Sequence, residues 1–175
     1  MKSILVLAAA ALVGGSMLLP ATPSFANDSG SSSKPNCRRG QVYDQRKQTC
    51  VQAESGVVDD SSLVAYAAAL ARDARYDEAL AMLDLLQNPN TAEALNYRGY
   101  ATRKLGRVEE GIAYYQQAVA LDPDYTLVRE YLGEAYVTQG KLDLAKAQLA
   151  EIEKRCGTTC EPYEDLAEAI EAVES

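Results

Sequence analysis

The chain of 175 residues contains no histidine, no tryptophan and a single phenylalanine. The absence of histidine excludes a histidine general base, a Ser-His-Asp or Cys-His nucleophile system, and a histidine-ligated zinc or haem. Basic side chains are also scarce: 17 Lys and Arg stand against 25 Asp and Glu, which gives a formal net charge of −8. Because nucleic-acid binding depends on a basic surface, this balance argues against a nucleic-acid partner. Hydrophobic residues make up 47% of the chain, which is typical of a globular protein.

Long apolar runs are missing as well, except near the N-terminus, where Ile4 to Val13 is unbroken. Lys2 precedes this run, and Ser24-Phe25-Ala26 places small residues on either side of the phenylalanine, just before Asn27. The arrangement predicts a signal peptide at 1–26. The run is too short to be a transmembrane helix, which needs roughly 20 apolar residues. We therefore expect an exported protein, periplasmic or secreted, whose mature chain has no transmembrane segment.

Four cysteines, Cys37, Cys50, Cys156 and Cys160, follow the predicted cleavage site. In an oxidising compartment their even number predicts two disulfides, and three pairings are open on sequence alone. The two local pairs would close short loops near the two ends of the mature chain. The alternative use of Cys156 and Cys160 is thiol-disulfide redox chemistry. Their C-x-x-x-C spacing and acidic neighbours favour the structural role, and the lack of further soft ligands predicts no metal site.

The sequence repeats with a period of 34 residues over 92–125 and 126–159, so that Gly99 aligns with Gly133. A degenerate earlier copy occupies 60–91. In each copy the apolar and small residues follow i, i+3 and i+4 spacing in two stretches, which predicts two helices per repeat. Small residues such as the aligned glycines allow two packed helices to approach closely.

Two further signals mark the ends of these predicted helices. Gly106 follows the first helix of the second copy, where glycine adopts a left-handed backbone at little cost, and Asp122-Pro123 stops the second helix. After the third copy, residues 160–175 predict a capping helix with a polar outer face. The apolar stripe of this helix consists of Tyr163, Leu166, Ala167, Ile170 and Val173.

These residues and spacings resemble the tetratricopeptide repeat. The matching positions are Gly99, Gly106, Tyr115, Ala118 and Asp122-Pro123 in one copy, and Gly133, Tyr136, Gly140 and Ala145 in the next. The resemblance covers about 60–159, although Cys156-Gly157 replaces the Asp-Pro pair of the third copy. It implies an all-α solenoid of antiparallel helix pairs, with about three repeats and the capping helix.

The family resemblance also implies binding of a peptide or protein surface in a concave groove lined by the first helix of each repeat. Helical spacing predicts that the groove exposes Asn96, Tyr100, Arg103, Glu130, Glu134 and Val137, with Tyr97 and Tyr131 at its border. Packing between repeats is the alternative for the two bordering tyrosines. Some members of the family hold a C-terminal carboxylate with basic residues and asparagine, but Glu130 and Glu134 oppose that use here.

No phosphate-binding loop, nucleophile motif or cofactor site occurs in the sequence, so the chain is predicted not to be an enzyme. The expected function is an exported scaffold or assembly adaptor that binds another envelope protein. Self-association into a homo-oligomer is left open. The charge is uneven, basic at 34–47 and acidic at 151–175, which indicates either a solvated surface or an acidic end that steers a basic partner.

The front of the predicted mature chain divides into a Gly/Ser-rich linker at 27–36 and a disulfide-closed segment at 37–59. The latter segment predicts a short hairpin. Its Cys37, Gly40, Val42-Tyr43-Asp44 and Cys50 resemble half of a peritrophin-type chitin-binding module, a family with six cysteines where this segment has two. Cell-wall glycan binding by residues 37–50 is therefore an alternative to a simple N-terminal cap.

Overall fold

The computed structural model describes residues 37–38, 40–44, 46–54 and 56–175. The predicted signal peptide, 1–26, and the predicted linker, 27–36, lie outside these residues. Within the described residues, no helix combines the length and the hydrophobicity that a membrane crossing requires.

A two-stranded antiparallel hairpin opens the described chain. Strands β1 (Gln41–Asp44) and β2 (Thr49–Gln52) pair with Val42 opposite Val51. The Asp44 carboxylate stabilises the turn between the strands because it accepts hydrogen bonds from the next backbone N–H groups. A disulfide joins Cys37 to Cys50, and the buried Val42 packs into the first hydrophobic core. The predicted disulfide-closed N-terminal segment is thus part of the fold.

Helices make up the rest of the described chain. They are α1 (Asp60–Arg72), α2 (Tyr76–Leu83), α3 (Ala92–Lys104), α4 (Val108–Leu121), α5 (Thr126–Thr138), α6 (Leu142–Cys156) and α7 (Glu161–Glu174). Successive helices pack as the pairs α1/α2, α3/α4 and α5/α6, and α7 lies against both α5 and α6. The all-α helix-pair solenoid with a C-terminal helix is confirmed.

The helices form an inner and an outer layer. Each first helix of a pair contacts the next one, α1 with α3 and α3 with α5, and α5 continues the row to α7. The second helices, α2, α4 and α6, do not contact one another. Because the first helices contact one another along the array and the second helices do not, the first helices form the inner face, where a groove is expected.

Local sequence signals set the helix ends. Asp59 and Thr91 accept hydrogen bonds from the backbone N–H groups of Ser62 and Ala94, which caps α1 and α3. Gly106 follows α3 with φ of 87°, a left-handed conformation that suits glycine. In the degenerate first repeat Ala74 occupies the corresponding position with φ of 58°, so this turn carries backbone strain.

Glycine also permits close packing between helices. A methyl group on Gly99 would lie 2.7 Å from ring carbons of Tyr115, and one on Gly133 would lie 2.5 Å from the end of Leu166. Both distances are shorter than any normal carbon contact. The repeated glycine of the inner helices therefore makes room for a large apolar side chain of a neighbouring helix.

Two hydrophobic clusters fill the array. The first joins the hairpin to α1, α2 and α3, with Leu63 and Leu83 fully buried. The second joins α3 to α7 around Tyr115, Ile152 and Leu166. Tyr100 on α3 packs against both clusters, so it lies where they meet on the inner layer.

Candidate functional site

A row of tyrosines connects the two layers: Tyr100 and Tyr131 lie on the inner helices α3 and α5, and Tyr76 and Tyr115 on α2 and α4. The ring of Tyr100 lies 6.3 Å from that of Tyr76 and 5.0 Å from that of Tyr131, measured between ring centres. Tyr131 in turn lies 6.2 Å from Tyr115, which is fully buried. Tyr100 and Tyr131 keep part of their surface accessible to solvent. Tilted ring contacts of this kind stabilise packing and leave faces and hydroxyl groups for a partner.

Burial changes the acid–base behaviour of these tyrosines. It raises the pKa of Tyr100, Tyr115 and Tyr131 above the usual value of a phenol. Their hydroxyl groups therefore stay protonated and neutral in any ordinary buffer. The row presents aromatic surface and hydrogen-bonding groups, but no tyrosinate nucleophile.

An ion pair joins the second and third repeats across the inner face. The guanidinium of Arg103 on α3 lies 2.7 Å from the carboxylate of Glu134 on α5. The same guanidinium donates to the hydroxyl of Tyr115 at 3.4 Å and lies 5.8 Å from the centre of the Tyr100 ring. The Arg103 side chain is only 9% exposed, so its donors are directed into the structure. Arg103 thus positions α3 against α5 and is not a free basic group.

Glu130 is the most unusual ionisable residue of the inner face. The residue is 4% exposed, and its Oε2 atom has no hydrogen-bond partner among the described residues. Burial, followed by the negative charge of Glu134, raises the pKa of Glu130 to about 8. Asp165 and Glu161 on α7 add to the rise. A buried carboxylate without a counter-ion is costly, and such groups are more common at functional sites than elsewhere.

The predicted exposure of Asn96 and Glu130 is wrong. Asn96 is fully buried, and its amide nitrogen donates to the hydroxyl of Tyr125 at 3.3 Å. Tyr125 comes from the segment just before α5, whereas α7 packs against α5 and brings Asp165 and Glu161 near Glu130. Helical spacing alone gives the face on which a residue lies, but not what the next repeat places over it.

The other predicted groove residues keep only part of their surface accessible, and of the two that form an ion pair Arg103 has the less exposed side chain. Tyr97, Tyr100, Tyr131 and Val137 are half-buried, and Glu134 is partly exposed. Tyr97 packs against the first cluster, whereas Tyr131 and Val137 pack against the second. Contact between repeats, the alternative for Tyr97 and Tyr131, therefore accounts for part of their surface. Their use by a partner stays a prediction.

The cysteines form the two local pairs, Cys37 with Cys50 and Cys156 with Cys160. The second bond spans the junction of α6 and α7, which ties the capping helix to the last repeat. This arrangement supports a structural role for the bonds.

The described part of the chain offers no other chemical centre on the inner face. No group of three or more Cys, Asp or Glu residues there is arranged to hold a metal ion. A cavity of about 330 Å³ lies between the hairpin, α1 and α2, lined by Tyr66, Leu70 and Met82 among others. A smaller one of about 270 Å³ lies beside the exposed Leu121. Both are separate from the tyrosine row.

Sequence reasoning did not find Tyr115, Tyr125 or α7 as neighbours of the site. A signal was available for the Arg103–Glu134 pair, because the 34-residue period aligns Glu134 with Tyr100, one helical turn before Arg103 on the same face. No comparable signal exists for Asp165 and Glu161, since α7 departs from the repeat pattern. Their approach to Glu130 follows from packing of the cap.

The paired helices and the inner row of first helices define a helical-repeat protein. Comparison with known proteins agrees with this class. Residues 99–140 match the family model for the TPR (tetratricopeptide) repeat. This match confirms the predicted resemblance of the chain to tetratricopeptide-repeat proteins. No curated protein matches it.

Solved structures share the fold at low sequence identity. The crystal structure of MamA superposes with a TM-score of 0.55 and 20% identity, over 65% of this chain and 68% of MamA. PcrH, crystallised in complex with the chaperone-binding region of PopB, gives a TM-score of 0.54 and 19% identity, over 67% of this chain and 98% of PcrH. At these identities the similarity concerns the fold alone.

Proposed function

We propose that this chain is an exported protein–protein interaction module that binds a partner across the inner face of its repeats. The observation that carries the proposal is the row formed by Tyr100 and Tyr131, partly exposed beside the buried, unpartnered Glu130. Aromatic side chains at the centre of a concave face are the usual anchors of an interface. PcrH, which has the same fold, is crystallised with a segment of another protein. The partner proposed here is another envelope protein.

The proposed role is that of a non-enzymatic scaffold. Proteins of this class typically act by binding, and the described residues of the inner face supply tyrosines and a single ion pair without a nucleophile. Burial keeps the tyrosine hydroxyls protonated. Binding requires an accessible surface with suitable side chains, which the partly exposed tyrosines of the inner face provide.

Site-specific photo-crosslinking tests the binding face. A benzophenone amino acid replaces Tyr100 on the inner face or, as a matched control, Glu153, which is exposed on the outer helix α6. We expect one partner to crosslink from position 100 and not from position 153. The identified partner is then purified and titrated, and Tyr100→Ala is expected to weaken its binding at least about tenfold. Equal crosslinking from both positions, or equal affinity for the variant, would contradict the proposal.

Export is a separate part of the proposal and needs its own test. The support is the charged start, the apolar run and the small residues before Asn27. Expression of the full chain in a Gram-negative host, followed by fractionation and intact-mass measurement, is expected to give a periplasmic product that begins at Asn27. A full-length product in the cytoplasmic fraction would contradict export and leave the binding proposal standing.

A further inference from the structure

The side chains around Glu130 on the inner face include more acidic groups than basic ones. Glu130 lies on α5 and is 4% exposed, with Oε2 unpartnered among the described residues. The charged groups that act on it are Glu134 on its own helix, Asp165 and Glu161 on α7, and Arg103 on α3. Three of these four groups are acidic, so the surroundings favour a cation over a neutral donor.

The one basic neighbour is already engaged. The guanidinium of Arg103 bonds to Glu134 at 2.7 Å and to the hydroxyl of Tyr115 at 3.4 Å. No ion pair joins it to Glu130 in the part of the chain that the structure describes. Buried charges in proteins are normally paired or bound to a metal, and the described carboxylates form no group suited to a metal. The counter-ion and hydrogen-bond donor that Glu130 lacks are therefore best supplied by another molecule.

The aromatic surroundings favour the same kind of group. Tyr131 is the next residue on α5, and its ring lies 5.0 Å from that of Tyr100. Tyr100 already accepts cations at its ring, with Lys104 at 5.3 Å and Arg103 at 5.8 Å from the ring centre. A basic side chain that approached Glu130 would therefore enter a region of acidic charge and tyrosine faces, a combination that binds ammonium and guanidinium groups.

We propose that the inner face binds a segment of its protein partner through a lysine or arginine side chain that pairs with Glu130 beside Tyr131. This inference rests on the proposed function, since it identifies the chemistry of the partner at the same face. Pairing supplies the missing counter-ion, shifts Glu130 toward its ionised form and satisfies its free oxygen. The acidic C-terminal helix α7 adds long-range attraction for a basic segment.

Selection from a random peptide library tests the inference without knowledge of the partner. Dodecapeptides displayed on phage are selected on the full chain. We expect the selected clones to share a lysine or arginine at a constant position. The synthetic form of the strongest clone should bind Glu130→Gln at least about tenfold more weakly than wild type. Norleucine in place of the basic residue should cause the same loss, and the two changes together should cause little more.

A matched variant and a measurement of folding show whether a loss of peptide affinity is specific to Glu130. Glu153→Gln removes the same charge from the outer helix α6, and it should bind the peptide like wild type. Circular dichroism must show Glu130→Gln folded. Peptides with arginine and with lysine at the selected position are compared, and a preference for either agrees with the inference.

Failure of this inference can be distinguished from failure of the proposed function. Clones that depend on Tyr100 but lack a basic position, or that bind Glu130→Gln as well as wild type, would overturn this inference and leave the binding face intact. If no selected clone loses affinity with Tyr100→Ala, both this inference and the proposed use of the inner face are wrong.

Discussion

Replacing Glu130 by glutamine should make the protein more stable at alkaline pH. Glutamine has nearly the same shape and stays neutral at every pH, whereas the glutamate must ionise inside the structure. Burial and the neighbouring acids raise the pKa of Glu130 from 4.5 to about 8 in the folded protein. The folded state thus binds this proton more tightly than the unfolded state does. The contribution of Glu130 to stability is full below about pH 4.5 and is lost as the pH rises through about 8.

The size of the effect follows from the two pKa values. Their difference sets an upper limit of roughly 5 kcal/mol for the cost of ionised Glu130 in the folded state. Relaxation and water penetration reduce such costs in real proteins, so we expect a gain on the order of 2 kcal/mol for Glu130→Gln at pH 9. Near pH 5 the glutamate is mostly protonated when folded, and the gain should largely disappear.

Urea unfolding followed by circular dichroism measures this directly. Wild type, Glu130→Gln and the outer-face control Glu153→Gln are compared at pH 5, 7 and 9. The range stops at pH 5 because Asp59 and Glu151 have pKa values near 2 and lose their stabilising bonds only in stronger acid. A gain at Glu130 that is the same at pH 5 and 9, or a loss of stability at pH 9, would refute the reasoning. The control should show no comparable pH-dependent gain.

Three other substitutions test the packing. Ala74→Gly should stabilise the protein by about 0.5–1 kcal/mol in urea unfolding, because glycine relieves the strain of the left-handed backbone at φ of 58°. The control substitution Ala120→Gly, inside helix α4, should destabilise the protein by about the same amount. Gly133→Ala should lower the free energy of unfolding by about 1–3 kcal/mol, because the added methyl group clashes with Leu166. In a double-mutant cycle with Leu166→Ala, much of that loss should disappear. Additive losses for the two substitutions would contradict the clash. Arg103→Gln should destabilise by about 1–3 kcal/mol because Glu134 loses its partner, and the loss should shrink when Glu134→Gln is added.

The helix pairs were predictable because their signals are local. Spacing of small and apolar residues marks each helix, and Gly106 and Gly140 mark turns that need a left-handed backbone. The repeat period then gives the order in which the pairs stack. The hairpin and the capping helix follow from equally local patterns.

The burial of the site residues was not predictable in the same way. Asn96 bonds to Tyr125, and Glu130 lies near Asp165 and Glu161 of α7, so both residues meet groups from the next unit of the chain. How closely one unit approaches the next depends on side-chain packing over the whole interface. The sequence pattern placed both residues on the inner face, but the missing counter-ion at Glu130 became visible only in three dimensions.

A crystal structure of the chain with a peptide selected on its inner face is the most direct test of the proposed binding mode. We expect the peptide to lie across α3, α5 and α7, with a lysine or arginine nitrogen about 3 Å from a carboxylate oxygen of Glu130. A peptide bound on the outer helices, or on the inner face with Glu130 still unpartnered, would contradict this binding mode.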